Sequence, residues 1–183
     1  MALAEPITTS LTDLISNAIE RVLDEMQDKN VGIVLSGGLD SSTVAVLTDR
    51  ISPSLPTFTG YYDEPGFDER PYAHMVAHSR HFDIKITPEQ FVEHFDGMRA
   101  ALKPPIMGPG SFGQYLVAKF LHDYGIEVSL SGEGSDELFG GYARQMIVAG
   151  EAPPVGYENY VLPPGYPTNI EDALAYDYAL LPA

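Results

Sequence analysis

From Leu11 to Asp28 the apolar side chains Leu11, Leu14, Ile15, Ala18, Ile19, Val22, Leu23 and Met26 recur at steps of three and four, which predicts one packed helix face with Ser10 or Thr12 as its cap. VGIVL (Val31–Leu35) is apolar without a break, as a central strand covered on both faces would be. Helical spacing returns in STVAVLTDR through Val44, Ala45, Leu47 and Thr48. LPTFTGYY (Leu55–Tyr62) reads as a second strand, Arg70–His81 as a helix, and FDIKI (Phe82–Ile86) as a third strand. Thr87 then caps a helix with Pro88 in its first turn, and a further helix, FGQYLVAKFLHDY, stops at Gly125 before the strand IEVSL (Ile126–Leu130). Strand and helix alternating at this spacing predict a three-layer α/β/α domain with a mostly parallel sheet. From Gly150 onward Pro, Gly and Tyr crowd together and the period is lost, so residues 1–149 are expected to form the domain and 150–183 an irregular arm with one short helix, Ile170–Leu181.

Charge narrows the partners. In 183 residues, 10 Lys and Arg stand against 26 Asp and Glu, a formal charge of -16, which repels a phosphate backbone and argues against nucleic acid. ATP is also a polyanion, so it could be held only locally, by backbone N–H groups, a divalent cation or the few basic side chains. With no cysteine, disulfides, thiolate metal sites and a Cys nucleophile are excluded within this chain, and a cytoplasmic setting is expected. MALAEPITTSLTD has no basic-then-apolar leader, and no run of about 18 apolar residues occurs, so no membrane association is expected.

Between the first strand and its helix stands LSGGLDSS (Leu35–Ser42). Gly37 and Gly38 let the backbone turn tightly and aim successive N–H groups at one point, and the helix adds its positive end, so the loop is a candidate anion cradle. A ligand-free turn would also use small residues, but it gives no reason for Asp40 among Ser36, Ser41 and Ser42. The loop is neither GxxxxGKS nor GxGxxG. A second polar string, LSGEGSDELFGGY (Leu130–Tyr142), follows the fourth strand. Carboxylates from two strand ends, Asp40 and Asp136, repel until a hard cation joins them, and Mg²⁺ with phosphate oxygens is the usual solution. Glu137 either supports that cation or caps the next helix, Gly140 and Gly141 suit a close turn, and Arg144 either offsets the carboxylates or lies at the surface. His74 and His78 fall on one face of the expected helix but lack a third ligand, so they read as satisfied surface histidines.

SGGLDSS resembles the PP-loop of the N-type ATP pyrophosphatases, and LSGEGSDELFGGY resembles the other hallmark of the asparagine synthetase synthase domain; GFDE (Gly66–Glu69) before a helix is similar as well. The resemblance implies an adenine nucleotide alpha hydrolase-like fold. It implies that Ser36, Gly37, Gly38, Asp40, Ser41 and Ser42 line the pyrophosphate site of ATP and that Asp40 and Asp136 hold Mg²⁺. Leu35, Ser131 and Gly132 would lie against the adenosine, and Glu133 near an acyl-adenylate. The implied activity is ATP-dependent amide formation on a carboxylic acid, aspartate by default, with ammonia free or from a separate glutaminase. The family's glutaminase cysteine and its C-terminal lysine and arginine-rich region have no match in this sequence. After Lys119 the one basic residue is Arg144, and Lys103 is a substitute by position alone. A partner subunit or homo-oligomer using the arm's Tyr157, Tyr160, Val161, Leu162 and Tyr166 is therefore expected. The alternative is a non-catalytic nucleotide-binding or assembly protein of the same fold.

Overall fold

The computed structural model describes residues 9–102, 110–152, 157 and 159–179, and these fall into two compact units, Met1–Gly132 and Glu133–Ala183. The division lies inside the second motif, earlier than the change of composition at Gly150.

The first unit is built on four parallel strands, β1 (Val31–Val34), β2 (Thr57–Tyr62), β3 (His81–Ile86) and β4 (Val128–Leu130), in the order β3-β2-β1-β4. Among the described residues five helices accompany them: α1 (Leu11–Glu25), α2 (Leu39–Ile51), α3 (Arg70–Val76), α4 (Pro88–Ala101) and α5 (Gly110–Asp123). Side chains alternate across β1, and the two faces are filled differently. Ile33 and, just beyond the strand, Leu35 pack with Ala45 of α2 and Ala73 of α3, while Val34 turns to the opposite core of Phe58, Ile84, Val117 and Leu121. A third cluster, Ile86, Met98, Phe112 and Leu116, joins α4 and α5 to the sheet. This is the expected three-layer α/β/α arrangement, with α2 and α3 on one face, α4 and α5 on the other, and α1 packed on α2. Among the described residues no helix is long and apolar enough to cross a membrane.

Local signals place most boundaries. Ser10 caps α1, its hydroxyl accepting from the Asp13 N–H, and Thr87 forms a reciprocal capping box with Gln90 at α4. Gly125 takes a positive φ of 90° past the end of α5. Two expected helices are shorter. The first stops at Glu25 rather than Asp28, and α3 stops at Val76 rather than His81 because Ala77 turns extended. His78 is consequently no neighbour of His74 on a helix face. It is buried, with its ring nitrogens 3.0 Å from the Leu55 and Ala45 carbonyl oxygens, so the reading of it as a surface histidine is corrected.

In the second unit are α6 (Ser135–Phe139), α7 (Ala143–Val148) and α8 (Ile170–Tyr178), with Asn169 capping α8 through the Asp172 N–H. Its centre is polar. Asp177 of α8 is fully buried and accepts from the Arg144 guanidinium at 2.9 and 3.1 Å, the Gln145 amide at 2.8 Å and the Tyr166 hydroxyl at 2.5 Å. Tyr166 is thereby packed within its own unit, and burial with this bond pushes its phenol up to about 12. Tyr157 and Val161 remain exposed.

Candidate functional site

The helix expected to open near Ser42 opens at Leu39, because Gly38 takes the cap position with φ -67° and ψ 163°. Having no side chain, Gly38 supplies no cap, so the first-turn N–H groups of Leu39, Asp40 and Ser41 are offered at the end of β1 without a side-chain partner from that position. Leu39, 83% exposed, is apolar only in composition; Asp40 lies half-buried in the same turn.

Serines shape the loop from within. The buried Ser41 hydroxyl accepts from the Ser36 N–H at 3.1 Å, lies 3.2 Å from the Gly38 carbonyl oxygen to which it donates, and meets the Ser36 hydroxyl at 2.9 Å. The Gly38 N–H in turn donates to the Ser36 hydroxyl at 3.3 Å. Ser41 thus braces the turn, whereas Ser36 is exposed and Ser42 half-buried. Leu35 offers a ligand no side chain. It is fully buried in the core, its N–H donates to the Phe58 carbonyl, and its carbonyl accepts from the buried Thr59 hydroxyl.

Two close approaches fix this loop in the first unit. Gly37 has a φ of 93°, and a Cβ there would come within 2.9 Å of the Ala73 nitrogen and the Glu69 carbonyl oxygen, so the start of α3 lies directly against the loop. The pairing of Ile33 with Leu130 in parallel register brings β1 and β4 out on the same sheet edge, the edge at which open parallel sheets bind ligands. There a Cβ on Gly132 would sit 2.6 Å from the Ser41 nitrogen and 2.8 Å from the Asp40 carbonyl carbon. Gly132 therefore lies directly against the first turn of α2, with Ser131 the residue before it in the chain.

The start of α3 at Arg70, after GFDE, lies where the sequence places it, whereas its contact with Gly37 depends on the fold. Asp68 accepts from the Arg70 N–H and grips its guanidinium through both oxygens at 2.8 and 2.7 Å, and this pairing holds the Asp68 carboxyl down at about 2. The guanidinium also lies 3.6 Å from the centroid of Tyr61.

Glu133 and Asp136 belong to the second unit, Asp136 in the first turn of α6. The Gly140 and Gly141 N–H groups both donate to the Asp136 carbonyl, Gly140 with a positive φ of 79°, and the absence of a side chain at Gly141 leaves room for the Asp136 carboxylate. Glu137 accepts from the Tyr142 hydroxyl, and burial together with that bond pushes the phenol up to about 12. Arg144, which could have offset the motif's carboxylates, is committed to Asp177 and lies over the Tyr142 ring at 3.7 Å. Lys119 pairs with Asp123 at 2.6 Å, and Lys103 lies outside the described residues.

Within the first unit the donor types fit a metal-bound nucleotide: an uncapped helix start suits phosphate, and the Asp40 carboxylate in the same turn suits a hard cation. Residues 10–156 match the family model described as asparagine synthase. The chain is 32% identical over 146 residues to asparagine synthetase [glutamine-hydrolyzing] 1 of Bacillus subtilis, covering 75% of this chain and 23% of that protein. It is likewise 32% identical over 149 residues to the human asparagine synthetase [glutamine-hydrolyzing], covering 75% and 26%, and 32% identical over 146 residues to amidase chry2 of Gibberella zeae, covering 67% and 22%. The chain thus spans about a quarter of the length of these relatives. Among solved structures, NAD+ synthetase from Burkholderia pseudomallei aligns with a TM-score of 0.47 at 14% identity, over 96% of this chain and 86% of that one.

Proposed function

This chain belongs to the asparagine synthase family, and from that premise we propose that it is the nucleotide-binding part of an ATP-dependent amide-forming ligase working through an acyl-adenylate. The observation that carries the reading is the helix start at Gly38, uncapped by a side chain and backed by Gly132 of the second motif. In this reading the N–H groups opening α2 orient the phosphates, Ser36 and Ser42 add hydroxyls around them, and Ser131 and Gly132 lie against the adenosine. Ser41 holds the turn in shape. Asp40 and Asp136 are the proposed Mg²⁺ ligands by their places in the two motifs, and Glu133 is assigned to the adenylated acid. Bound Mg²⁺ would neutralise phosphate charge and let a strongly acidic chain accept a polyanion.

The reaction is then two displacements. A substrate carboxylate oxygen attacks the α-phosphorus of ATP and the bond to pyrophosphate breaks; an amine next attacks the acyl carbon and AMP leaves. Aspartate and ammonia are the default pair, the ammonia supplied free or by a glutaminase. Preplaced positive charge normally meets such leaving groups. Here Arg144 is bound to Asp177 and Lys119 to Asp123, so the cations for pyrophosphate are proposed to come from a partner subunit or other sequence beyond these residues. The same shortage supports a second reading, a nucleotide-binding or assembly role without turnover.

Calorimetry with ATP should show binding that requires Mg²⁺ and disappears with EDTA. Asp40→Ala and Asp136→Ala should each weaken it by about tenfold, ~1.4 kcal/mol, with circular dichroism unchanged. Little pyrophosphate release is expected from this chain alone with aspartate and ammonia. Robust release would assign the enzyme reading to residues 1–183 themselves, and absence of ATP binding would remove both readings.

A further inference from the structure

On the sheet face that carries α3, three side chains from two elements converge. His81 and Asp83 alternate along β3 and so project to the same side, and His74 reaches them from α3. The His74 Nε2 lies 3.0 Å from both Asp83 carboxylate oxygens, and the His81 Nε2 lies 3.0 Å from one of them. One donor atom from each residue falls within 4.8 Å of the others, and the two imidazole rings stand edge to face at 5.1 Å. Behind them the His81 Nδ1 meets the hydroxyl of the fully buried Thr57 at 2.8 Å.

We propose that His74, His81 and Asp83 form a binding site for a divalent transition metal, with zinc as its reference ion, separate from the residues assigned to Mg²⁺ and ATP. When the His81 Nδ1–H donates to Thr57, the ring turns an Nε2 lone pair toward the carboxylate. A proton or a metal must then lie among the three groups. A hydrogen bond from the remote ring nitrogen is the usual way in which a ligating imidazole is fixed in tautomer and direction. Two imidazoles and a carboxylate suit zinc, whose ligands sit at about 2.0–2.2 Å; the 3.0 Å nitrogen–carboxylate separations would have to open slightly, and all three donor atoms already lie within 4.8 Å of one another. Mg²⁺ and Ca²⁺ prefer all-oxygen shells, so this donor set selects against the cation proposed for the nucleotide. His74 is half exposed, which leaves a fourth position for water. Arg70 of the same helix is already held by both oxygens of Asp68.

The site would tie α3 to β3. Because the start of α3 lies against Gly37, metal binding would brace the loop that precedes α2 from behind. The competing account is a hydrogen-bonded cluster that needs only protons.

Titration of the full chain with Zn²⁺ at pH 7.5, without nucleotide and against a chromophoric chelator, separates the two. One equivalent should bind with about micromolar affinity, and His74→Ala, His81→Ala and Asp83→Asn should each weaken it by about tenfold or more. His122→Ala, on α5, should leave it unchanged. His74→Ala removes a half-exposed ring and serves as the decisive variant if His81→Ala fails to fold. Co²⁺ should give a visible ligand-field band that His74→Ala abolishes, and Zn²⁺ should raise the melting temperature of the wild type but not of that variant. No stoichiometric binding, or binding that survives His74→Ala, overturns the proposal. Neither result bears on Mg²⁺-dependent ATP binding, which is measured separately.

Discussion

Asp177→Ala should be the most damaging single substitution in the second unit, lowering the stability of the folded chain by about 3–5 kcal/mol. The carboxylate is fully buried, and four donor groups depend on it: two guanidinium nitrogens of Arg144, the Gln145 amide and the Tyr166 hydroxyl. Removing it leaves a mostly buried guanidinium without its counter-charge, together with an amide and a phenol that must find other partners. Those costs exceed the modest net value of any one hydrogen bond. Asp177→Asn keeps the volume and one acceptor oxygen, so it should cost less than alanine. Urea denaturation followed by circular dichroism measures both. An ultraviolet titration should also show one tyrosine returning from about 12 toward an ordinary phenol value, since burial and the bond to Asp177 hold Tyr166 there. A loss under about 1 kcal/mol for Asp177→Ala would show that Arg144 and its neighbours reach water at little cost.

Gly132→Ala should damage the proposed nucleotide site most directly. The added Cβ would meet the backbone of Asp40 and Ser41 at 2.6 to 2.8 Å, and backbone at the start of a helix cannot swing aside as a flexible side chain does. Either α2 moves away from β4 or the strand end is pushed out, at about 1–3 kcal/mol for overpacking of this kind. Mg²⁺-dependent ATP binding should fall by more than tenfold, because the displaced N–H groups are those proposed to hold phosphate. Gly110→Ala is the fitting control, since a Cβ there meets nothing within 4 Å and should leave binding and stability close to wild type. Wild-type ATP affinity in Gly132→Ala would mean that the start of α2 is not where the phosphates lie.

The features that depend on near neighbours in the chain were legible from the sequence alone. Short apolar runs, unbroken in VGIVL and alternating in FDIKI, and the helical spacing between them marked the four strands and their helices, because each element must bury its apolar side chains whatever its partners are. Thr87 with Gln90, and Gly125 after α5, marked boundaries through groups one to three residues apart. LSGGLDSS declared a tight turn and a candidate anion cradle for the same reason, though the helix start at Leu39, three residues before Ser42, came from the fold. The tertiary structure decided what needed two distant segments to meet. The parallel order β3-β2-β1-β4 put Gly132 against Asp40 and Ser41, gave Gly37 its contact with α3, and buried Leu35 so that its side chain serves the core. It also joined His74 to His81 and Asp83, where spacing had suggested His78, because Ala77 ends the helix before His78 can share its face. Arg144 looked equally able to serve the motif or the surface; only folding brought it to Asp177, 33 residues away in sequence, and spent its charge there. A charge in sequence has no direction until a backbone aims it, and for this chain that aiming is done by contacts no local pattern encodes.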